Sequence, residues 1–88
     1  MITVKILGLR HPERYAVRRM VLSAQNELHI QYPDLAIEIA EISDPSGIGK
    51  YAFVLVLPSL VINEKLVCSG HFPAKEEVVN WLREALQT

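Results

Sequence analysis

Arginine recurs every four residues near the start of the chain, at Arg10, Arg14 and Arg18. Four residues are close to one helical turn, so a helix here would carry the three guanidinium groups on one face. Pro12 is typical of the first turn of such a helix. The free backbone N–H groups at its start, together with Arg10, His11 and Arg14, could hold a carboxylate or a phosphate. The alternative interpretation is an ordinary solvated helix face.

The sequence holds one cysteine, Cys68, so no disulfide can form within the chain. A lone thiol is typical of proteins from reducing compartments, which favours the cytoplasm as the location. Cys68 follows the apolar residues Leu66 and Val67, as expected of a buried structural cysteine on a strand. A reactive single thiol is the alternative that the sequence leaves open.

Length and charge narrow the class of protein. The 88 residues predict a single domain over residues 1–88. The formal net charge of −1 argues against binding to nucleic acid or to an anionic membrane surface. No apolar run approaches the ~20 residues that cross a bilayer. Residues 1–5 are typical of a strand and lack the basic segment of a signal peptide.

Hydrophobic spacing predicts two amphipathic helices and four strands. A single helical turn could follow the second strand, because Ser43 or Asp44 can cap it and Pro45 can open it. Asn63 and Glu64 favour a tight hairpin turn, which would place Ser59 opposite Cys68. The apolar run at 52–57 fits either a strand or a buried helix. The predicted elements are a strand at 3–7, a helix at 12–32, a strand at 35–40, a helical turn near 44–49, strands at 59–62 and 65–68, and a helix at 75–86.

This order, β-α-β-(α)-β-β-α, predicts an α/β sandwich with a four-stranded mixed sheet, whose first two strands are parallel. It also resembles the minimal thioredoxin fold. The segment 57–63 (LPSLVIN), the hairpin after it, Gly70 and Pro73 are similar to the C-terminal half of the small thioredoxin/glutaredoxin-like "redox-active disulfide" proteins. Residues 6–8 (ILG) ahead of Pro12 are similar to the N-terminal half of that family.

The resemblance locates the redox site of the family and shows that its thiols are missing. The two cysteines of the Cys-Pro-x-Cys motif fall on His11 and Arg14, so the motif reads His11-Pro12-Glu13-Arg14. Thioredoxin chemistry needs a thiolate and a second thiol that resolves the mixed disulfide. Imidazole and guanidinium groups do neither. The resemblance therefore implies the fold, and the departure argues against disulfide oxidoreductase activity.

The family also implies a binding groove around the start of the third strand. The proline there, Pro58, is expected to follow a cis peptide bond and to face the redox site. Leu57, Pro58 and Ser59 would then lie where thioredoxins place the backbone of a substrate. Without thiols this groove could still bind an extended peptide or another subunit by strand addition. Simple core packing of the run at 52–57 is the alternative.

We therefore predict a redox-inactive thioredoxin-like module for binding or interaction. Its expected partner is a protein, a peptide or a small anionic ligand, and a homo-oligomer is a further candidate. The alternative function is a weak monothiol redox protein that uses Cys68. His11, Cys68 and His71 could in principle hold a soft metal. The expected strand order separates them, however, so we predict no metal site and no cofactor.

Overall fold

A computed structural model describes residues 2–50 and 58–87. The strands and helices follow one another in the predicted order. They are β1 (Ile2–Leu7), α1 (His11–His29), β2 (Ile37–Ile42), α2 (Pro45–Gly49), β3 (Ser59–Ile62), β4 (Lys65–Ser69) and α3 (Lys75–Leu86). None of the helices within these ranges is long and apolar enough to cross a membrane.

The four strands form one mixed sheet in the order β2-β1-β3-β4. β1 pairs with β2 in parallel, and α1 makes the crossover between them. β3 pairs antiparallel with β1, and β4 pairs antiparallel with β3. The predicted α/β sandwich with a four-stranded mixed sheet is therefore confirmed.

The main core lies between the sheet and the pair of long helices. α1 and α3 pack against each other on one face, because each buries one apolar stripe. Their buried side chains meet alternate residues of β1 and β3. On the opposite face, Ile48 of α2 packs with Leu7 and Val61 in a smaller cluster. The largest fully buried side chains are Ile6, Leu7, Leu28, Leu60 and Leu82.

The ends of the helices follow local sequence rules. Pro12 stands in the first turn of α1, where its missing N–H costs nothing. The Asp44 side chain caps α2 by accepting a hydrogen bond from the backbone N–H of Gly47. Hydrogen bonds from the Ser46 hydroxyl and from Gly47 lower the pKa of Asp44. The single helical turn predicted at this capping residue is confirmed.

The hairpin between β3 and β4 turns through two residues of positive φ. Asn63 has a φ of 49° and Glu64 a φ of 66°, as a two-residue turn of this kind requires. Asn63 also fastens the turn to β1, because its Oδ1 accepts a hydrogen bond of 3.0 Å from the N–H of Thr3. Lys5 and Glu64 form an ion pair at 2.6 Å across the same junction. The turn itself is as predicted.

The register beyond the turn differs from the prediction. Ser59 pairs with Ser69, and Leu60 pairs with Cys68, because the ladder shifts between Leu60 and Val61. One extra residue, Val67, is inserted in β4 as a β-bulge. The predicted pairing of Ser59 with Cys68 is therefore wrong. The bulge leaves Cys68 level with Leu60, and both belong to the core on the helix side.

Substitutions at Asn63 test how much the turn contributes to stability. Asn63→Ala should lower the free energy of unfolding by about 2 kcal/mol, because alanine is strained at positive φ and cannot bond Thr3. Asn63→Gly should cost about half as much, because it loses only the side-chain hydrogen bond. Urea unfolding of the two variants measures the difference. Equal stability of the two variants would contradict a positive-φ requirement at this position.

Candidate functional site

The end of β1, the start of β3 and the end of β4 meet at one end of the sheet. Leu7 pairs with Ser59 at the junction of β1 and β3, and Ser59 pairs with Ser69 at that of β3 and β4. Gly8, Pro58 and Gly70, which adjoin these three residues, therefore lie near one another. A hydrogen bond of 2.9 Å from the Gly70 N–H to the Pro58 carbonyl joins two of them. We call the surface formed by residues 8–11, Pro58 and residues 70–72 the rim.

The rim includes the start of α1, where the resemblance placed the two thiols of the redox motif. Arg10 is the N-cap residue of α1 and has an extended backbone, with no side-chain cap. His11 is the first residue of the helix and is exposed, and its ring stacks on Tyr15 with 6.2 Å between centroids. The Arg19 guanidinium lies 6.0 Å from the centre of the same Tyr15 ring. Arg10 and His11 thus lie side by side at the surface.

Arg14 is largely buried, unlike Arg10 and His11. Its side chain is only 13% exposed. One guanidinium nitrogen donates a hydrogen bond of 2.9 Å to the Gly8 carbonyl, and Nε contacts Glu41 on β2 at 3.2 Å. Arg18 contacts the other oxygen of Glu41 at 2.9 Å. Arg14 therefore joins the loop after β1 to β2 through groups of its own chain. We call this contact set of Gly8, Arg14, Arg18 and Glu41 the arginine clamp.

Gly8 is part of the clamp for a steric reason. A Cβ atom on Gly8 would lie 3.1 Å from Cγ of Arg14. That distance is shorter than an ordinary van der Waals contact, so the bare backbone lets the arginine stem pass close to the loop. A convergence of Arg10 and Arg14 on one anion stays a prediction. Glu41 already balances the charge on Arg14, which leaves Arg10 and His11 as the accessible groups.

The other predicted binding residues lie at the start of β3. Pro58 is buried beside the loop after β4. Ser59 is 1% exposed, and its hydroxyl donates to the Ser69 hydroxyl at 3.2 Å. Ser59 is therefore too buried to contact a bound partner directly, and it would instead hold the neighbouring rim residues in place. Leu57 and the bond between Leu57 and Pro58 lie outside the described residues, as does the run at 52–57, so the cis peptide bond stays a prediction.

Cys68 is a free, buried cysteine on the edge strand β4. Its thiol donates to the His71 carbonyl at 3.4 Å, and Sγ lies 3.5 Å from Nε2 of the His71 ring. Burial raises the pKa of Cys68, and the nearby carboxylate of Glu77 raises it further. The thiol is thus held in its protonated, unreactive form at neutral pH. Within residues 2–50 and 58–87, no three His, Cys, Asp or Glu side chains lie together as a metal site.

The raised pKa of Cys68 gives a direct expectation for its reactivity. In the folded protein at pH 7–8, Ellman's reagent should label Cys68 at least ~10-fold more slowly than in the urea-unfolded chain, because the thiolate is scarce and the sulfur is buried. The folded pKa lies above the unfolded one. The stability that this shift contributes is therefore complete below the unfolded pKa and is lost as the pH rises through the folded pKa. Labelling of the native state at the unfolded rate would contradict both statements.

Two exposed apolar residues on the rim escaped the sequence prediction. Leu9 is 57% exposed and Phe72 is 56% exposed. Each lies in a loop next to a strand end, with charged or polar neighbours in the sequence. The sequence does show an apolar residue in each of these loops. Hydrophobic spacing identifies only apolar residues within strands and helices, so it did not predict a role for Leu9 or Phe72. The role of Glu41 was also not predicted. Its arginine partners are 23 and 27 residues away in the sequence, and the sequence does not show which distant charges form ion pairs.

Comparison with known proteins agrees with this architecture. The family model described as a thioredoxin domain matches residues 2–83 of the chain. No curated protein matches the sequence. The match begins with β1 and ends within α3, so it includes all four strands, the first two helices and most of α3. The chain therefore belongs to the thioredoxin domain family.

Proposed function

We propose that the protein is a redox-inactive member of the family that binds a protein or peptide segment at the rim. The chain has a single cysteine, which lies on the edge strand β4 rather than at the start of α1, and this observation carries the proposal. The family resemblance assigns the two thiol positions to His11 and Arg14, and the arginine clamp gives Arg14 a structural role. A domain that lacks the paired thiols but keeps the fold retains the surface without the electron transfer.

The composition of the rim supports a peptide as the partner. Leu9 and Phe72 expose large apolar surfaces at the same end of the sheet, and such surfaces are typical of binding sites. Arg10 adds an exposed positive charge beside them. A segment with one apolar or aromatic side chain and an acidic neighbour matches these three residues. A small anion alone would use Arg10 and the helix start and would leave the apolar pair uncovered.

A peptide library displayed on phage, selected against the immobilised protein, tests this proposal. The affinity of selected peptides should fall about 10-fold or more in a Leu9→Glu/Phe72→Glu variant, because apolar anchors dominate such interfaces. Ala36→Glu is the control, since Ala36 is exposed and lies beside Ile2, at the opposite end of the sheet from the rim. Isothermal titration measures each affinity. Selected peptides that bind the double variant as tightly as the wild type would contradict a binding site at the rim.

The positively charged part of the site is tested by a separate variant. Arg10→Gln should weaken binding of acidic peptides several-fold at low salt and have less effect at 0.5 M salt, because salt screens exposed charges. Arg83→Gln on α3 is a control of the same charge change away from the rim. An unchanged affinity and salt dependence would show that Arg10 belongs to a solvated helix face.

A second candidate is a monothiol redox protein that uses Cys68. The contact of 3.5 Å between Sγ of Cys68 and the His71 ring favours it, because an imidazolium beside a thiol can stabilise a thiolate. The raised pKa of Cys68 opposes it. Incubation with oxidised glutathione, followed by intact mass measurement, distinguishes the two. Rapid formation of a protein–glutathione disulfide in the folded state would favour this second function.

A further inference from the structure

The solvent-facing side of α1 carries large apolar side chains. Of the five exposed large hydrophobic residues in the described chain, three lie on this helix: Tyr15 at 53%, Leu22 at 41% and Ile30, its C-cap residue, at 83% exposure. Tyr15 and Leu22 are seven residues apart, which places them within about 20° of each other around the helix axis. Ile30 lies within about 80° of both, so the three form one stripe about 22 Å long. We call it the α1 stripe.

The exposed charges beside the α1 stripe differ in sign between the two ends of the helix. Arg10 and Arg19 are exposed near its start, and Glu27 and Asp34 are exposed near its end. Glu41 balances Arg14 and Arg18 in the arginine clamp, and Lys75 of α3 forms an ion pair with Glu27 at 3.1 Å. The contrast along α1 therefore rests on Arg10 and Arg19 at one end and Asp34 at the other.

When two copies of α1 lie antiparallel, the positive end of each helix faces the negative end of the other. We propose that the α1 stripe is an interface between two copies of this chain, with the two α1 helices packed antiparallel about a two-fold axis. The pairing that fits the stripe sets Tyr15 against Ile30 of the partner subunit, and Leu22 next to Leu22 of the partner subunit. Arg10 then lies close to the level of Asp34 of the partner subunit. The opposed helix dipoles also favour this orientation.

The antiparallel arrangement avoids repulsion that a parallel one would create. Arg19 lies between Tyr15 and Leu22 along the stripe, and antiparallel pairing sets it opposite Asn26 of the partner subunit. Parallel pairing would place the basic halves of both helices together. Because a single helix pair of this length buries an area at the low end for specific interfaces, we expect a reversible dimer with a Kd of about 10–100 µM.

Sedimentation equilibrium of the full chain at several concentrations measures the dimer. A Leu22→Glu/Ile30→Glu variant should raise the Kd at least ~10-fold, because it buries four unpaired carboxylates per dimer. Phe72→Glu is the matched control, since it changes an exposed apolar residue off α1 and should leave the Kd within about twofold. A monomer at all concentrations up to about 1 mM would overturn the proposal. A dimer that the Leu22/Ile30 variant does not weaken would overturn it as well.

Cysteine cross-linking tests the orientation. In a Leu22→Cys variant the two new sulfurs lie next to the two-fold axis, so mild oxidation should give a disulfide-linked dimer. Tyr15→Cys should give none, because antiparallel pairing separates the two copies of residue 15 by about 22 Å along the axis. Cys68 is common to both variants and is buried. Linkage through Tyr15→Cys, or its absence with Leu22→Cys, would contradict the antiparallel dimer. Neither result depends on peptide binding at the rim, so the two proposals are tested separately.

Discussion

A His11→Cys/Arg14→Cys variant is expected to form an intramolecular disulfide and to gain disulfide reductase activity that the wild type lacks. The reason is positional. Both residues lie in the first turn of α1, three residues apart, and a thiol at a helix start has a lowered pKa. The buried Cys68 lies elsewhere in the sheet and should not compete. We expect a reduction potential within roughly the −200 to −270 mV range of glutaredoxins and thioredoxin.

Mass spectrometry of the oxidised double variant should show the loss of two hydrogens and no linked dimer. A His11→Ser/Arg14→Ser variant is the matched control, because it removes the same side chains without adding thiols. Both variants lose the arginine clamp, so a difference in activity between them reports the thiols alone. If the double-cysteine variant folds but stays inactive and reduced, the start of α1 is not equivalent to the redox site of the family.

Loss of the arginine clamp should be the largest stability effect among the polar contacts described here. Glu41→Ala is expected to lower the free energy of unfolding by about 1–3 kcal/mol, because it removes the partner of two arginines, one of which is largely buried. Glu38→Ala on the same strand is the control. Glu38 is exposed on the other face of β2, and its loss should cost less than about 0.5 kcal/mol.

Urea denaturation of the Glu41 and Glu38 variants provides the comparison. The loop of residues 8–10 should also become more mobile in Glu41→Ala, because Arg14 holds the Gly8 carbonyl only while the guanidinium stays in place. Amide hydrogen exchange in that loop measures the change. Equal stability of the two variants would show that the clamp is an ordinary surface ion pair and that Arg14 remains available to a ligand.

The sequence was informative wherever structure depends on near neighbours. α1 and α3 follow from apolar residues spaced three and four apart, and the turn at Asn63 follows from that residue's tolerance of positive φ. The bulge at Val67 was missed, because nothing in the sequence of a short edge strand marks an inserted residue. It shifted Cys68 by one position along β3.

The site was harder to predict than the fold, because its contacts are between distant residues. His11 and Arg10 could be placed at the helix start from Pro12 alone. The role of Arg14 depends on Glu41, which comes from another element and reaches it only through the parallel pairing of β1 and β2. Likewise, the sequence does not show that Leu9 and Phe72 lie at the same end of the sheet, because this depends on how β1, β3 and β4 pair.

We propose that this thioredoxin domain does no thiol–disulfide chemistry, and insulin reduction by the wild-type protein tests that proposal most directly. With dithiothreitol or a thioredoxin reductase as the electron source, insulin should precipitate no faster than in a protein-free control. The His11→Cys/Arg14→Cys variant should be active in the same assay. A Cys68→Ser variant identifies the source of any activity in the wild type. Catalytic turnover by the wild type that disappears in Cys68→Ser would contradict the claim and establish a monothiol redox protein.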